Sequence, residues 1–164
     1  MRYEEFTIEG RNAVLEAFRS GKTIDKLFVL DGCHDGPVNS ITREARKGDT
    51  IINYVSKERL DNMSKTGKHQ GVIAYAAAYE YAEVSDILDA AREKGEPPFI
   101  FILDNIEDPH NLGAIIRTAN LAGAHGVIIP KRHAVGLTAT VARTSAGALN
   151  YTPVAKVTNI SATI

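Results

Sequence analysis

The sequence lacks the features typical of secreted and membrane proteins. It contains one cysteine, Cys33, which excludes an intrachain disulfide and a cysteine-based metal cluster because both need several thiols. No apolar run approaches the roughly 20 residues that a membrane-spanning helix needs. Residues 1–5 are too acidic for a secretory signal. These absences predict a cytoplasmic protein in which Cys33 is an ordinary residue of a loop rich in Gly and Asp.

The signatures of two common kinds of site are also missing. A dinucleotide site needs a Gly-x-Gly-x-x-Gly motif after a strand and an acidic residue about 20 positions after that motif. The sequence contains no such combination. A metabolic enzyme with a nucleotide-binding sheet is therefore the weakest of three functional hypotheses. His110, His125 and His133 share no ligand spacing and no carboxylate cluster, which argues against a metal site.

Acidic residues are absent from the last third of the chain. All 20 Asp and Glu residues precede Pro109, although the net charge of the whole sequence is only −1. The basic residues after that point are Arg117, Lys131, Arg132, Arg143 and Lys156. This asymmetry predicts a locally positive surface that could meet phosphate, with an ordinary solvated face as the alternative.

The composition that remains, 44% hydrophobic and 24% charged, is typical of globular domains. Over residues 1–76, helix and strand signals alternate. The predicted helices begin near Gly10, Pro37 and Ser56, and the predicted strands cover 25–30, 51–55 and 71–76. This pattern predicts a small α/β domain, complete in itself, followed by a linker of Ala, Tyr and Glu residues at 77–83.

Residues 84–164 predict a second α/β unit. A helix capped by Ser85 precedes the apolar run 98–104, which is typical of a strand buried on both faces of a parallel sheet. The helix 112–122 and the strand 126–130 complete a βαβ unit. A helix at 138–144 and a strand at 154–158 follow. A doubly wound sheet that ended there would leave strands half covered, so we interpret the sequence as the front part of a longer protein.

The loop that follows the 98–104 run is the predicted functional site, because ligands of open parallel sheets bind at the carboxyl ends of strands. Asn111 and Gly113 begin the next helix, where free N–H groups favour phosphate. Arg117 lies four residues after Gly113. The alternatives are a surface arginine at position 117 and a simple N-cap at position 111.

In the first domain, the polar loop 65–70 carries two lysines just before a strand, and Arg11 and Asn12 start a helix. Residues at such positions could bind an RNA loop through its backbone and its exposed bases. A solvated loop and a helix cap are the alternative.

Several segments resemble one protein family. The run 104–119, Asp-Asn-Ile-Glu-Asp-Pro-His-Asn-Leu-Gly-Ala-Ile-Ile-Arg-Thr-Ala, resembles the first signature motif of the SpoU (TrmH-like) RNA methyltransferases. The block 143–149, with 153–154 and 157–159 after it, is similar to the next block of that family. Gly10-Arg11-Asn12-Ala13-Val14 and His69-Gln70-Gly71-Val72 resemble the ribosomal-protein-L30-like (L30e-like) substrate domain of the ribosomal-RNA branch. The resemblance covers almost the whole chain.

The resemblance implies an α/β fold, in which a small L30e-like substrate domain precedes a parallel-sheet, SPOUT-type methyltransferase domain. It implies S-adenosylmethionine as cofactor, a homodimer, and 2′-O-methylation of a guanosine ribose in 23S ribosomal RNA. Two later motifs, a glycine-rich strand end with an acidic residue and a Ser-Leu-Asn run, are absent. Because those motifs form the trefoil knot and most of the cofactor pocket, the resemblance implies an incomplete domain, inactive by itself, in which Thr158 and Asn159 form only a rim.

Residue roles also follow from the resemblance. Arg117 corresponds to the catalytic arginine and Asn111 to its partner at the reacting ribose. The residues expected to contact RNA are Arg11, Asn12, Lys65, Lys68, His69, Gln70 and Arg143. An arginine side chain, with a pKa above roughly 12, is a poor general base. It either loses its proton through a nearby phosphate or, as we prefer, orients the hydroxyl and stabilises the oxyanion as a cation. The alternative function is a non-catalytic RNA-binding protein.

Overall fold

The computed structural model describes residues 6–164, with only the backbone described at Phe6. The chain forms two compact units, and the boundary between them lies between Ala77 and Ala78. Within the described residues, none of the helices has the length and apolar character that crossing a membrane requires.

The first unit is a mixed four-stranded sheet with three helices among its described residues. Its elements are β1 (Phe6–Glu9), α1 (Arg11–Arg19), β2 (Ile24–Leu30), α2 (Gly36–Lys47), β3 (Ile51–Val55), α3 (Lys57–Met63) and β4 (Val72–Ala76). The strand order is β1-β4-β2-β3, in which β2 and β3 are parallel and β4 runs antiparallel to both of its neighbours. The sequence predicted every element except β1, because four residues are too few for a periodic signal.

Successive side chains of the central strands pack into two hydrophobic cores, one on each face of this sheet. Leu27 and Val29 of β2 pack with helices α1 and α2, whereas Phe28 packs with Leu60 of α3. This alternation is the period-two pattern of a strand covered on both sides. The pairing of β1 with β4 places Glu9 opposite Ile73, beside the loop that connects α3 to β4.

The second unit contains a three-stranded parallel sheet with the order β5-β6-β7. Its elements are α4 (Val84–Lys94), β5 (Ile100–Ile102), α5 (Pro109–Leu121), β6 (Gly126–Pro130), α6 (Ala139–Thr144), a 3₁₀ turn (Ala148–Asn150), β7 (Val154–Val157) and α7 (Ile160–Thr163). The α/β class with a parallel sheet is therefore confirmed. Because all three strands run the same way, the loops that follow them lie at one edge of the sheet.

Two details of this unit differ from the sequence-based prediction. The apolar run 98–104 forms only a three-residue strand, and it is not buried on both faces, since Phe99 is 46% and Ile102 is 40% exposed. The fully buried strand is β6, which has a neighbour on each side. Helix α4 has its N-cap at Glu83 instead of Ser85, with the Glu83 backbone N–H donating to Asp86 Oδ2. Neither the number of neighbours of a strand nor the choice between adjacent caps is visible in local sequence.

Most of the segment predicted as a linker is hydrogen-bonded inside the second unit, although the Ala77 N–H donates to the Thr23 carbonyl of the first unit (2.9 Å). The Ala78 N–H donates to the Leu137 carbonyl (2.8 Å), and the Leu137 N–H donates to Tyr81 Oη (2.9 Å). The Ala82 N–H donates to the Val154 carbonyl (2.9 Å). Composition indicated a change of domain here, but it did not reveal that the second unit uses these residues for its own packing.

Candidate functional site

The first turn of α5 is capped by a carboxylate. Asp108 is the N-cap, and its Oδ1 accepts a hydrogen bond from the Asn111 N–H at 2.8 Å. The alternative reading of Asn111 as an N-cap is therefore wrong. So is the expectation of a free N–H group for phosphate at Asn111, because the Asp108 carboxylate already occupies the favourable end of the helix dipole. The Asn111 side chain remains exposed, and it has no hydrogen bond to any other described residue.

Arg117 lies farther along the same helix with its guanidinium in solvent. It is exposed and forms no ion pair or hydrogen bond with any residue of the range 6–164. A guanidinium without partners has all five N–H donors available for a ligand. Within the described residues Arg117 thus makes no polar contact that would compete with a ligand.

A very close contact joins α5 to α6. A Cβ atom added to Gly113 would overlap the Thr144 hydroxyl and lie 2.8 Å from the Thr144 Cβ. Thr144 Oγ1 itself donates to the Thr140 carbonyl at 2.9 Å. The contact places the last turn of α6, with the exposed Arg143, against the first turn of α5, which carries Asn111. The structure thus brings together the elements that carry Asn111, Arg117 and Arg143.

A third loop at this edge was missed by the sequence analysis. The segment 131–138 follows β6, and its Val135 N–H donates to the carbonyl of Ile106 in the loop after β5 at 2.8 Å. His133 lies 3.7 Å from Glu107 on the exposed side of the same pair of loops. The available signal was the parallel order of the strands, because the loop after each parallel strand must lie at the same edge.

Thr158 and Asn159 follow β7 at this edge, and both are exposed. Asn159 is the N-cap of α7, with its Oδ1 accepting from the Ala162 N–H at 3.1 Å. The sequence analysis predicted no element after the strand 154–158 and so missed this short helix. The hydroxyl of Thr158 and the amide nitrogen of Asn159 still face solvent at the strand end, and their assignment as a cofactor rim stays a prediction.

In the first unit, the two segments expected to bind RNA are in contact. The Arg11 N–H donates to Gln70 Oε1 and Arg11 Nε donates to the Gln70 carbonyl, both at 3.1 Å. Arg11 also forms a 2.6 Å ion pair with Asp35 and lies 3.8 Å from Cys33 Sγ. A backbone hydrogen bond from Val38, followed by the Arg11 charge, holds the pKa of Asp35 below its ordinary value. Because Asp35 already pairs with Arg11, this guanidinium is less available to phosphate than a free lysine.

An open pocket lies where these segments meet. Its lining residues are Arg11, Asn12, Leu30, Pro37, Gln70 and Gly71. His69 lies beneath them, buried, with Nε2 2.8 Å from Asp61 Oδ1 and with Nδ1 accepting from the Gly71 N–H at 3.0 Å. With both nitrogens engaged, the ring holds the loop in this geometry. The assignment of His69 to RNA binding stays a prediction.

The lysines of the loop after α3 are exposed. Lys65 and Lys68 have no side-chain partner among the described residues. The backbone between them is tied to Glu9, which accepts hydrogen bonds from the Lys65 N–H (2.6 Å) and from Thr66 Oγ1 (2.6 Å). Burial raises the pKa of Glu9, but the hydrogen bonds from Ser64, Thr66 and Lys65 together outweigh burial and lower it from 4.5 to about 2.

This depressed pKa predicts how the loop responds to acid. A group whose pKa is lower in the folded state contributes stability above its unfolded pKa, and that contribution is lost as the pH falls through the folded value. We expect the Glu9 carboxyl to titrate near 2 in the folded chain and near 4.5 in the urea-unfolded chain. Side-chain carbon NMR over a pH series measures both midpoints. A folded-state midpoint at or above 4 would contradict the hydrogen-bonded carboxylate.

Residues 6–164 contain no group of three or more His, Cys, Asp or Glu side chains that could hold an ion. His125, one of the three histidines considered from sequence, accepts from the Phe99 N–H through Nδ1 and lies 3.0 Å from Glu96 through Nε2. It therefore ties the start of β5 to the rest of its unit.

Sequence comparison connects both units to known proteins. A model of the family described as RNA 2′-O ribose methyltransferase substrate binding matches residues 7–82, and one of the SpoU rRNA methylase family matches residues 98–164. A Bacillus subtilis protein assigned to the TrmH family of tRNA/rRNA methyltransferases is 51% identical over 155 residues, which cover 94% of this chain and 62% of the relative. A Staphylococcus haemolyticus protein of the same assignment is 45% identical over 161 residues, covering 98% and 64%. The chain spans less than two thirds of these relatives.

The similarity to solved structures is weaker than the similarity to these sequences. The AdoMet-bound rRNA methyltransferase from Sinorhizobium meliloti matches with a TM-score of 0.41 and 23% identity, over 93% of this chain and 54% of the other. The SpoU methyltransferase AviRb from Streptomyces viridochromogenes, solved with AdoMet, matches with a TM-score of 0.43 and 20% identity, over 97% and 57%. Since both TM-scores are below 0.5, the family assignment rests on the sequence matches. Those matches include one for each unit, and the chain therefore belongs to the SpoU (TrmH-like) family of RNA methyltransferases.

Proposed function

We propose that this chain contributes to S-adenosylmethionine-dependent methylation of RNA, with RNA bound by the first unit and the reacting ribose met by Arg117 in the second. The observation that carries the proposal is the exposed guanidinium of Arg117, which lacks a partner among the described residues and stands in the segment that resembles the first SpoU motif. Because the chain covers 62–64% of its relatives, the activity is proposed for the whole protein.

Arg117 has the chemistry that a 2′-O-methylation needs. A ribose 2′-hydroxyl is a weak nucleophile, and its oxygen gains negative charge as its proton leaves. A guanidinium can orient the hydroxyl and stabilise that charge without giving up a proton. The exposed amide of Asn111 can position the same ribose by accepting from or donating to its hydroxyls.

S-Adenosylmethionine supplies the methyl group when it is bound. The residues at the carboxyl edge of the second sheet fit its polar groups, because Thr158 and Asn159 expose a hydroxyl and an amide nitrogen beside the loops that follow β5 and β6. Arg143, on the turn that packs against Gly113, would meet RNA phosphate next to the reacting ribose.

The finer parts of the proposal come from the resemblance. They are a guanosine of 23S ribosomal RNA as the target, a homodimer as the working state and the cytoplasm as the location. The expectations that the knot segment lies outside these 164 residues and that they are inactive by themselves stay predictions.

Methyl transfer tests the proposal directly. The whole protein is incubated with S-adenosylmethionine labelled in its methyl group and with in vitro transcribed 23S ribosomal RNA, and 16S ribosomal RNA and transfer RNA serve as comparators. We expect label in 23S RNA at one position whose phosphodiester resists alkaline cleavage, since a methylated 2′-oxygen cannot attack the phosphate. RNA binding without transfer to any of the three RNAs would favour the non-catalytic alternative.

The loop 64–68, which carries Lys65 and Lys68, provides a separate test of RNA binding by the first unit. We expect Lys65→Ala with Lys68→Ala to weaken binding of 23S RNA by the 164-residue chain and to make its salt dependence shallower by roughly 1 to 2 units of slope, because each phosphate contact contributes about 0.7 to 0.9. Filter binding at several salt concentrations measures both. Unchanged affinity and slope would show that RNA binds elsewhere.

A further inference from the structure

One carboxylate organises the loop that presents the two lysines. Glu9 Oε2 accepts from Ser64 Oγ at 2.5 Å, from Thr66 Oγ1 at 2.6 Å and from the Thr66 N–H at 3.4 Å. Its Oε1 accepts from the Lys65 N–H at 2.6 Å. These partners are 55 to 57 residues away in sequence, so no local turn preference explains them.

The same hydroxyl groups extend the network to the far side of the loop. Ser64 Oγ, which donates to Glu9, accepts from the Gly67 N–H at 2.9 Å. Thr66 Oγ1, which also donates to Glu9, accepts from the Lys68 N–H at 3.2 Å. A hydroxyl can act as donor and acceptor at once. The backbone of residues 65–68 is therefore oriented, directly or through one hydroxyl, by a single side chain.

The two ends of the loop are held independently of Glu9. Helix α3 ends at Met63, and at the other end His69 is fixed by Asp61 and by the Gly71 N–H. Glu9 itself is placed by β1, whose pairing with β4 sets it opposite Ile73. Loss of the Glu9 contacts would thus release the middle of the loop and leave its anchors in place.

From this network we infer that Glu9 is a positioning residue for RNA binding, which holds the loop 64–68 in the shape that presents Lys65 and Lys68 to phosphate. The inference rests on the proposed binding of RNA by the first unit. It opposes the expectation from charge alone, because a carboxylate beside two lysines weakens the local positive potential, and its removal should by itself strengthen binding to a polyanion.

Glu9→Gln separates the two effects. Glutamine has the same shape without the charge, and only one of its two terminal atoms accepts hydrogen bonds. With that oxygen on the Lys65 N–H, the amide nitrogen would face the Thr66 N–H, and the Ser64 and Thr66 hydroxyls would have to turn from donors into acceptors, so the charge-assisted hydrogen bonds are lost. If the loop conformation that presents Lys65 and Lys68 is then populated about a fifth of the time, affinity for RNA falls about fivefold. Thr66→Val removes the bridging hydroxyl but keeps the carboxylate, and it should weaken binding in the same direction.

The matched control is Glu16→Gln, since Glu16 is an exposed residue of the adjacent helix α1 whose side chain has no described partner. It removes the same charge from the same unit without touching the loop, and affinity should stay within about twofold or rise slightly. Binding of 23S RNA to the 164-residue chain is measured by filter retention at several salt concentrations. Amide hydrogen exchange at residues 65–68 reports loop order, and thermal melting reports the fold.

The expected result is weaker binding, a shallower salt slope and faster exchange at residues 65–68 in Glu9→Gln, with none of these in Glu16→Gln. If the Glu9→Gln variant has a clearly lower melting temperature than the wild type, the same measurements on the Thr66→Val variant decide whether the inference holds. Unchanged or tighter binding by these variants would overturn the inference, while a loss in Lys65→Ala with Lys68→Ala would keep the proposed function. If the lysine variant also binds normally, both the proposed RNA site and the role of Glu9 are wrong.

Discussion

Replacement of Arg117 by lysine in the whole protein is expected to lower methyl transfer about a hundredfold or more, since loss of one donor that stabilises a developing oxyanion typically costs a factor of 10² to 10³. Lysine keeps the positive charge but loses the planar fork of donors that can hold an oxygen in a fixed direction. Because Arg117 is exposed and has no partner in the described part of the chain, the change should leave the fold intact. Initial rates with labelled S-adenosylmethionine and saturating RNA measure the effect.

Arg92→Lys is the matched control for this substitution. Arg92 lies on a helix of the same unit, and within residues 6–164 its side chain pairs only with Asp89, at the surface. We expect wild-type transfer from Arg92→Lys, and RNA affinity close to wild type from both variants. Wild-type transfer by Arg117→Lys would remove Arg117 from the reaction. A parallel loss of RNA affinity would assign it to binding instead of to the chemical step.

Replacement of Gly113 by alanine is expected to destabilise the second unit by about 2 kcal/mol. The new methyl group would overlap the Thr144 hydroxyl and lie 3.0 Å from the Ser145 backbone nitrogen, so α6 would have to move away from α5. Overpacking of this kind costs about 3 kcal/mol at the upper end of its usual range, and the better helix propensity of alanine offsets about 1 kcal/mol. For a unit of this size the melting temperature should fall by on the order of 10 °C.

Gly36→Ala is the control for the glycine prediction. Gly36 is likewise a helical glycine, at the start of α2, but a Cβ atom there would meet nothing within 4 Å. It should leave the melting temperature unchanged or raise it slightly. Thr144→Ala should recover only part of the loss in Gly113→Ala, because the Cβ of residue 144 would remain 2.8 Å from the new methyl. Calorimetric melting of the three variants tests this, and a wild-type melting temperature for Gly113→Ala would show that the helices separate at little cost.

Much of the fold was predictable because its signals are local. Helices α2 and α3 have Asp35 and Ser56 as N-caps, whose side chains accept from the Val38 and Arg59 N–H groups. Ser56 was visible as a capping residue, and Pro37 indicated the start of α2. The strands of the first unit followed from short apolar runs between turn residues. The motif residues Asn111 and Arg117 were identified in the same way, since a contiguous stretch of sequence carries the resemblance.

The remaining features depend on residues that are distant in sequence. The sequence by itself determined the α/β class, the order of most elements and the family, because caps, periodicity and motifs lie within a few neighbouring residues. Only the tertiary structure decided that Glu9 orders a loop 55 residues later, that Gly113 must be small because Thr144 lies against it, and that β6 and not β5 is the buried strand. Such contacts arise when separate elements pack together, and a hydrogen bond or a steric overlap between them leaves no periodic trace in the chain.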